Sequence, residues 1–388
     1  MGGTNFGDYQ IGIYMQGMMG MKPELPLDIN ELEAQAREKL DPRAYWYVAG
    51  GGGAGDTVSD NRAAFNRWRI VPRMLRDVKE RDHRVSILGT DMKAPLMLAP
   101  IGVQEILHPE AELAVARAAA ALEVPMMLST LASNPLEAVA EASGANKRWF
   151  QLYWPGDDEV TVSLIKRAEA AGYGAIVVTL DTRLMGWRSH DLDEAYLPFL
   201  EAKGLANYFS DPAFCAPLDE SPQENPQAAV ARWAEIYADT GQHWDHLKLI
   251  QDNTSLPILL KGILHPDDAA KAKAMGIHGI VVSNHGGRQI GGSIAALDAL
   301  PAIVDAVGGD YPLMLDSGIR HGEDIVKALA LGAKAVLLGR PYAWGLALKG
   351  EEGVRTVVQR MLAEYDLCMA LSGFRTPAEL SPDVLVRV

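Results

Sequence analysis

Cysteine is almost missing from this chain of 388 residues: only Cys215 and Cys368 occur, in no metal or redox spacing. That excludes a disulfide framework and a cysteine-based zinc site; no metal is expected, and a reducing cytoplasm is the simplest home. Basic runs are missing as well. The formal charge is -14, from 36 Lys and Arg against 50 Asp and Glu, which excludes a nucleic-acid surface and an anionic-membrane patch. No apolar run is long enough to cross a bilayer. The first 21 residues hold no lysine or arginine, and Lys22-Pro23-Glu24-Leu25-Pro26 is no cleavage region, so no secretory signal is expected. Met1-Gly2 invites lipidation, yet Phe6 stands where that motif needs Ser or Thr. With no low-complexity tract either, the default partner is a small molecule.

What is present is apolar material for a large core, at 48% of residues. The length prior suggests two or three domains, but one α/β barrel with insertions fits equally. Residues 1–25, rich in methionine and glycine, read as an irregular arm. A helix starts near Asp28, and a second short one carries Tyr45-Trp46-Tyr47-Val48-Ala49. The following Gly50-Gly51-Gly52-Gly53-Ala54-Gly55 matches G-x-G-x-x-G in letters, but it follows a helical pattern rather than a strand. It reads as a helix stop, not a nucleotide fingerprint.

From Ala94 one unit repeats: a short apolar run, a polar or glycine break, then an alanine-rich amphipathic stretch. The runs are 95–98, 125–128, 149–153, 176–180, 257–260, 280–282, 312–315 and 335–338. Eight such units predict a (β/α)8 TIM barrel. The expected layout is a single domain over 1–388. It has an N-terminal helical extension (1–93), a barrel (94–348) with a long lid inserted after strand four (about 189–250), and a C-terminal helix and tail (349–388). The gap from Asp181 to Pro257 is too long for an ordinary connection, and an ordered surface excursion is the rival to a lid.

Active sites of such barrels lie where strands end. Here the ends deliver Pro100-Ile101-Gly102, Ser129, Gln151 with Tyr153, Thr179 with Asp181, Lys261, Ser283 with His285, Asp316, and Gly339-Arg340. Polar groups converging on one mouth need a polar ligand. His285 suits a general base near neutral pH, and Arg288 offers a fork of donors for a carboxylate or phosphate. Alone, a His-Gly-Gly turn would be a surface feature; its company makes it functional. Glycine and arginine after strands seven and eight, in Asp316-Ser317-Gly318-Ile319-Arg320 and Gly339-Arg340-Pro341, point to a bound phosphate.

The run Ser283-Asn284-His285-Gly286-Gly287-Arg288-Gln289 resembles the signature of the FMN-dependent 2-hydroxy-acid oxidases and dehydrogenases. The resemblance extends over nearly the whole chain through Gln151-Leu152-Tyr153, Asp181 to Arg188, Leu260-Lys261-Gly262, Asp316 to Arg320 and Gly339-Arg340-Pro341. Within that family, Tyr47 to Gly51, Ala99 to Val103, Gly186-Trp187-Arg188, Leu131 and the long lid are similar to the lactate monooxygenase branch.

The resemblance implies FMN as cofactor and a fixed set of roles. His285 would be the base, oriented by Asp181. Arg188, Arg288 and Tyr47 would hold the substrate carboxylate with Tyr153 close by, and Tyr153 would belong to the catalytic group. Pro100, Ile101 and Gly102 would lie against the flavin ring, and Ser129, Gln151 and Thr179 would bind its carbonyls and nitrogens. Lys261 would sit beside its N1–C2 edge, with Ser283 in the same group. Asp316, Gly318, Arg320, Gly339 and Arg340 would take ribityl and phosphate. Glycine at 102, where the family also uses alanine, would alter the room for oxygen or product. His190 and His265 are declined as catalytic, the latter in favour of a helix start.

The implied reaction is oxidation of a short L-2-hydroxy acid, L-lactate first, with oxygen, giving acetate, carbon dioxide and water. Release of pyruvate and hydrogen peroxide is the first alternative, and electron transfer to a quinone or protein the second. A phosphate-metabolite barrel without flavin chemistry, or a degenerate binding protein, stands in another class. A homotetramer or larger homo-oligomer is implied, with no nucleic-acid or membrane partner.

Overall fold

The computed structural model describes residues 5–388. Met1-Gly2 lies outside the described residues. Eight parallel strands close into a barrel in strict chain order, each hydrogen-bonded to the next. They are Leu96–Leu98, Met126–Ser129, Arg148–Tyr153, Ile176–Thr179, Ile258–Ile263, Gly279–Val282, Leu313–Leu315 and Ala335–Leu338. The last pairs with the first through Val336 opposite Leu96, so no edge is left open. Helices such as Ala111–Leu122, Leu136–Ser143, Asp158–Ala170 and Pro266–Ala274 return the chain outside the barrel.

The period of two along each strand places the site. Met97, Met127, Trp149, Val177, Leu259, Val281, Met314 and Leu337, one per strand, form a separate cluster inside the barrel. Their neighbours, such as Leu96, Phe150 and Val178, join the larger core shared with the helices. Side chains alternate, so the next inward position on each strand lies two residues on. Those positions are Ala99, Ser129, Gln151, Thr179, Lys261, Ser283, Asp316 and Gly339. One apolar layer therefore underlies a polar ring at the carboxyl mouth. At the other end the hairpin Val85–Ile87 and Thr90–Met92 contributes Ile87 and Met92 to the inner cluster and plugs the barrel.

The N-terminal extension carries short helices up to Asn66. Asp28 caps Ile29–Lys39 by accepting from Asn30 and Glu31, and Asp41 caps Pro42–Ala49. The expected irregular arm is corrected: Asp8–Met18 is a helix. No amphipathic stripe announces it, because no residue of it is buried and its docking comes from beside it. Buried Asp366, on the C-terminal helix, accepts from the Gly7 amide at 2.7 Å and binds Arg81 and His83. The C-terminal helix runs Arg340–Ser372 with a break at Lys349-Gly350, and the final strand Leu385–Arg387 pairs antiparallel with Trp68–Ile70.

The Asp181–Pro257 excursion is not one free flap. Its later part is fastened to the helix Asp158–Ala170. Buried Asp211 pairs with Arg167 at 2.9 Å and accepts from Ser163, while Arg232 meets Asp157 at 2.9 Å. Thr182, Met185, Arg188 and Phe199 from its first part line the barrel mouth, and Tyr237 joins them from the fastened later part. Among the described residues no helix is long and apolar enough to cross a membrane.

Candidate active site

A cleft of about 1000 Å3, counting its open mouth, lies above the polar ring. Tyr47, Pro100, Ile101, Gly102, Ser129, Tyr153, Arg188, Lys261, His285, Arg288, Asp316, Gly318, Arg320, Gly339 and Arg340 all line it. Gln151, Thr179, Asp181 and Ser283 do not. The first two are buried in the same ring, while Asp181 stands behind His285 and Ser283 behind Lys261.

His285 follows its strand in the left-handed region (φ +59), which throws the imidazole across the mouth. Its Nδ1 lies 2.8 Å from Asp181 Oδ1 and 3.2 Å from Thr182 Oγ1, leaving Nε2 toward the cleft, 3.4 Å from the Tyr153 hydroxyl. Burial pushes the His285 pKa below its usual 6.5; Asp181 opposes this, and Lys261 adds to it. Burial raises the Asp181 carboxyl, but His285 and Lys261 outweigh that and hold it well below the usual carboxylate range. At neutral pH this is a neutral imidazole backed by a carboxylate, the state a base needs.

Gly262 makes that pair possible. It follows Lys261 at a register break with φ +105, and a Cβ there would lie 2.8 Å from Asp181 Cβ. Gly102 has a packing reason of its own: a Cβ would meet the Leu131 carbonyl at 2.7 Å and Ser129 Oγ at 3.3 Å. A methyl at 102 would therefore move Leu131 as well as take up ligand space.

Two guanidinium groups flank the base. Arg188 donates to the Arg288 carbonyl (3.2 Å) and to Gln289 Oε1 (2.7 Å), and Gln289 in turn donates to the carbonyls of Asp181 and Leu184. Arg288 lies over the Tyr47 ring, 5.1 Å from its centroid. Burial and the neighbouring Arg188 push Arg288 down to about 10, against the opposing pull of Tyr47 and Asp191.

The ring below fits a flavin. Lys261 Nζ donates to Ser283 Oγ at 2.9 Å and lies 3.3 Å from Asp316 Oδ2; burial lowers its pKa, but Asp316 and Asp181 win and keep it charged. Beside it, Gln151 Nε2 and Thr179 Oγ1 are buried with no hydrogen-bond partner among the described residues. A buried donor without a partner costs about 1–3 kcal/mol. Carbonyls and nitrogens on the edge of a planar heterocycle would satisfy both. At the far end, burial drives Arg320 down to about 10, and burial with Arg320 and Arg288 drives Arg340 to about 9. That uncompensated charge suits a phosphate. Arg340 is also a clasp, donating to the carbonyls of Val48, Ala49, Gly50 and Gly286, which leaves one N–H of its fork for a ligand.

Several members of the site escape a reading of the letters. Thr182 follows Asp181 and could have been found by the strand-end rule. Ser317 accepts from the Asn284 and Gly286 amides, and Asn61, from the N-terminal extension, exchanges hydrogen bonds with Asn284 at 2.8 and 2.7 Å. Phe199 and Tyr237 come from the excursion. Apart from Thr182, these carried no local signal. His190 stacks on Trp46 with centroids 3.7 Å apart, and His265 accepts from the Asp267 amide at its helix start.

The family model described as FMN-dependent dehydrogenase matches residues 36–387. The chain is 44% identical to an FMN-dependent alpha-hydroxy acid dehydrogenase, qulF, of Penicillium citrinum, over 99% of this chain and 97% of that one. It is 42% identical to an L-lactate oxidase of Lysinibacillus sphaericus, over 93% of each chain. A crystal structure of mandelate oxidase superposes with a TM-score of 0.82 at 37% identity, over 94% of this chain and 98% of that one.

Proposed function

The chain belongs to the FMN-dependent dehydrogenase family, whose chemistry here is the oxidation of 2-hydroxy acids, and from that premise we propose L-lactate as its substrate and oxygen as its oxidant. The observation that carries the reading is the 2.8 Å contact of His285 with Asp181, Nε2 facing a cleft that two buried arginines flank.

Arg188 and Arg288 bind the substrate carboxylate, and the Tyr47 hydroxyl adds a donor on the same side, its ring lying against Arg288. That clamp sets the α-carbon beneath His285. Nε2 removes the hydroxyl proton, and the ionised Asp181 stabilises the imidazolium that results. Tyr153, whose pKa burial raises above its usual value, stays protonated and donates to the substrate oxygen. FMN, when bound, accepts the two electrons that leave the substrate. Lys261 holds positive charge where Gln151 and Thr179 offer their free donors, and Ser129 and the 100–102 turn support the ring. Gly318, Arg320, Gly339 and Arg340 would hold the phosphate, and Asp316 the ribityl chain.

The product outcome proposed is acetate, carbon dioxide and water from lactate and oxygen, through pyruvate and hydrogen peroxide that react before leaving. The stretch from Thr182 to Phe199 over the mouth supports retention of product. Release of pyruvate and peroxide is the second reading, favoured by the 42% identity to an L-lactate oxidase. Anaerobic mixing with lactate, glycolate and mandelate tests the substrate: lactate should bleach the yellow protein fastest, and no bleaching by any of them would refute the reading. Acetate against pyruvate plus peroxide in air then separates the two outcomes. We propose a homotetramer or larger assembly, which a mass measurement in solution checks.

A further inference from the structure

With the carboxylate on Arg188 and Arg288 and the hydroxyl at His285 and Tyr153, the wall left for the substrate's side chain is apolar: Leu131, Met185, Phe199 and Tyr237. These four differ in how firmly they are held. Met185 is exposed on the loop after Asp181 and can yield. Phe199, on the turn Pro198–Glu201, is buried and boxed in by aromatic rings. It stands edge-on to Tyr47 at 6.3 Å and lies against Trp233 at 4.9 Å. Trp233 stacks on Tyr237 at 5.1 Å, and Tyr237 meets Tyr153 edge-on at 6.4 Å. The chain of rings thus runs from the carboxylate side of the cleft, behind the open space, round to the partner of the base.

We propose that Phe199 determines specificity by limiting the substrate's side chain to a short aliphatic group, and that Trp233 is the positioning residue that keeps its ring in place. The assignment rests on the reading of the cleft as a 2-hydroxy-acid site. A buried ring held between Tyr47 and Trp233 cannot rotate aside without vacating those contacts, so a larger substituent meets a fixed surface. Pocket walls of this kind discriminate by roughly 10- to 200-fold per methylene-sized difference. The excursion would then act as a ruler, with its fastened later part supplying the rigidity through Trp233 and Tyr237.

The test uses the FMN-loaded full chain and the rate of anaerobic flavin bleaching with L-lactate, L-2-hydroxyisocaproate and (S)-mandelate. Wild type should favour lactate. Phe199→Leu should raise kcat/KM for the two larger acids relative to lactate at least about tenfold. Trp233→Phe should shift the same ratio in the same direction, chiefly through KM, while the limiting bleaching rate with lactate stays within about twofold. Leu200→Ala, at the exposed neighbour of Phe199, should leave the ratio as it is. If Phe199→Leu does not retain FMN, Phe199→Met carries the same expectation with less volume removed. An unchanged ratio in an FMN-loaded Phe199 variant, or a wild type that already prefers mandelate, overturns the assignment and leaves the hydroxy-acid reading standing. No bleaching of wild type by any of the three acids overturns both.

Discussion

Replacing Asp181 by asparagine isolates the electrostatic part of the site. Asparagine keeps the volume that packs against Gly262, and the Asp181 carbonyl that accepts from Gln289 belongs to the backbone, so the fold should survive. What is lost is a negative charge 2.8 Å from Nδ1 of the base. Opposite charges roughly 4 Å apart at an effective dielectric near 20 interact by about 4 kcal/mol. The imidazolium formed on proton removal forfeits that amount, so the bleaching rate should fall by about three orders of magnitude. The pH profile gives a second signature. His285 titrates below 6.5, so in wild type kcat/KM is level above that value and falls as pH drops through the folded pKa. Asp181 raises that pKa, so without it the acid limb should move to lower pH while the plateau sinks. Stopped-flow bleaching from pH 5 to 9, with FMN content checked by absorbance, measures both. A loss smaller than tenfold, or an acid limb displaced to higher pH, would refute the argument that Asp181 acts by charge.

Arg188→Lys should lower kcat/KM about 10- to 100-fold, mostly through KM. A lysine cannot keep the Gln289 contact and also present a fork, and each charged hydrogen bond is worth about 1.5–3 kcal/mol; steady-state kinetics with lactate decides. Asp366→Asn should cost about 2–3 kcal/mol at pH 7 by denaturant titration, because it removes the buried carboxylate that pairs with the partly buried Arg81 guanidinium and accepts from the Gly7 amide. Burial raises the Asp366 carboxyl, but Arg81, His83 and the Gly7 amide hold it far below the usual range. Its contribution is therefore complete above the unfolded value of about 3.9 and lost as pH falls through the folded one. The gap between wild type and variant should close in acid, and a gap independent of pH would contradict this account.

The barrel was legible because its signals are local. Each strand is a short branched or methionine-rich run ended by a polar break, and the period of two fixes which residue enters the mouth: Leu259 inside the core obliges Lys261 to face the site, and Val281 obliges Ser283. The Asp181-to-Arg188 and Ser283-to-Gln289 runs carried the proposed base, its carboxylate and the arginines in their own letters. The helix Asp8–Met18 was hidden because its contacts come from Asp366, some 350 positions away, rather than from a stripe of its own.

By itself, then, the order of residues determined the eight-fold repeat, the polar ring and a candidate base, since these follow from neighbours two to four positions apart. Tertiary structure alone decided that Gln289 braces Arg188, that Asn61 holds the histidine loop, that most of Arg340's fork closes on four carbonyls, and that Phe199 completes the wall. Those pairings span roughly 100 to 300 residues. They exist only because barrel closure and the packing of the excursion bring distant segments within hydrogen-bonding and van der Waals range, and no periodicity in the chain encodes that distance.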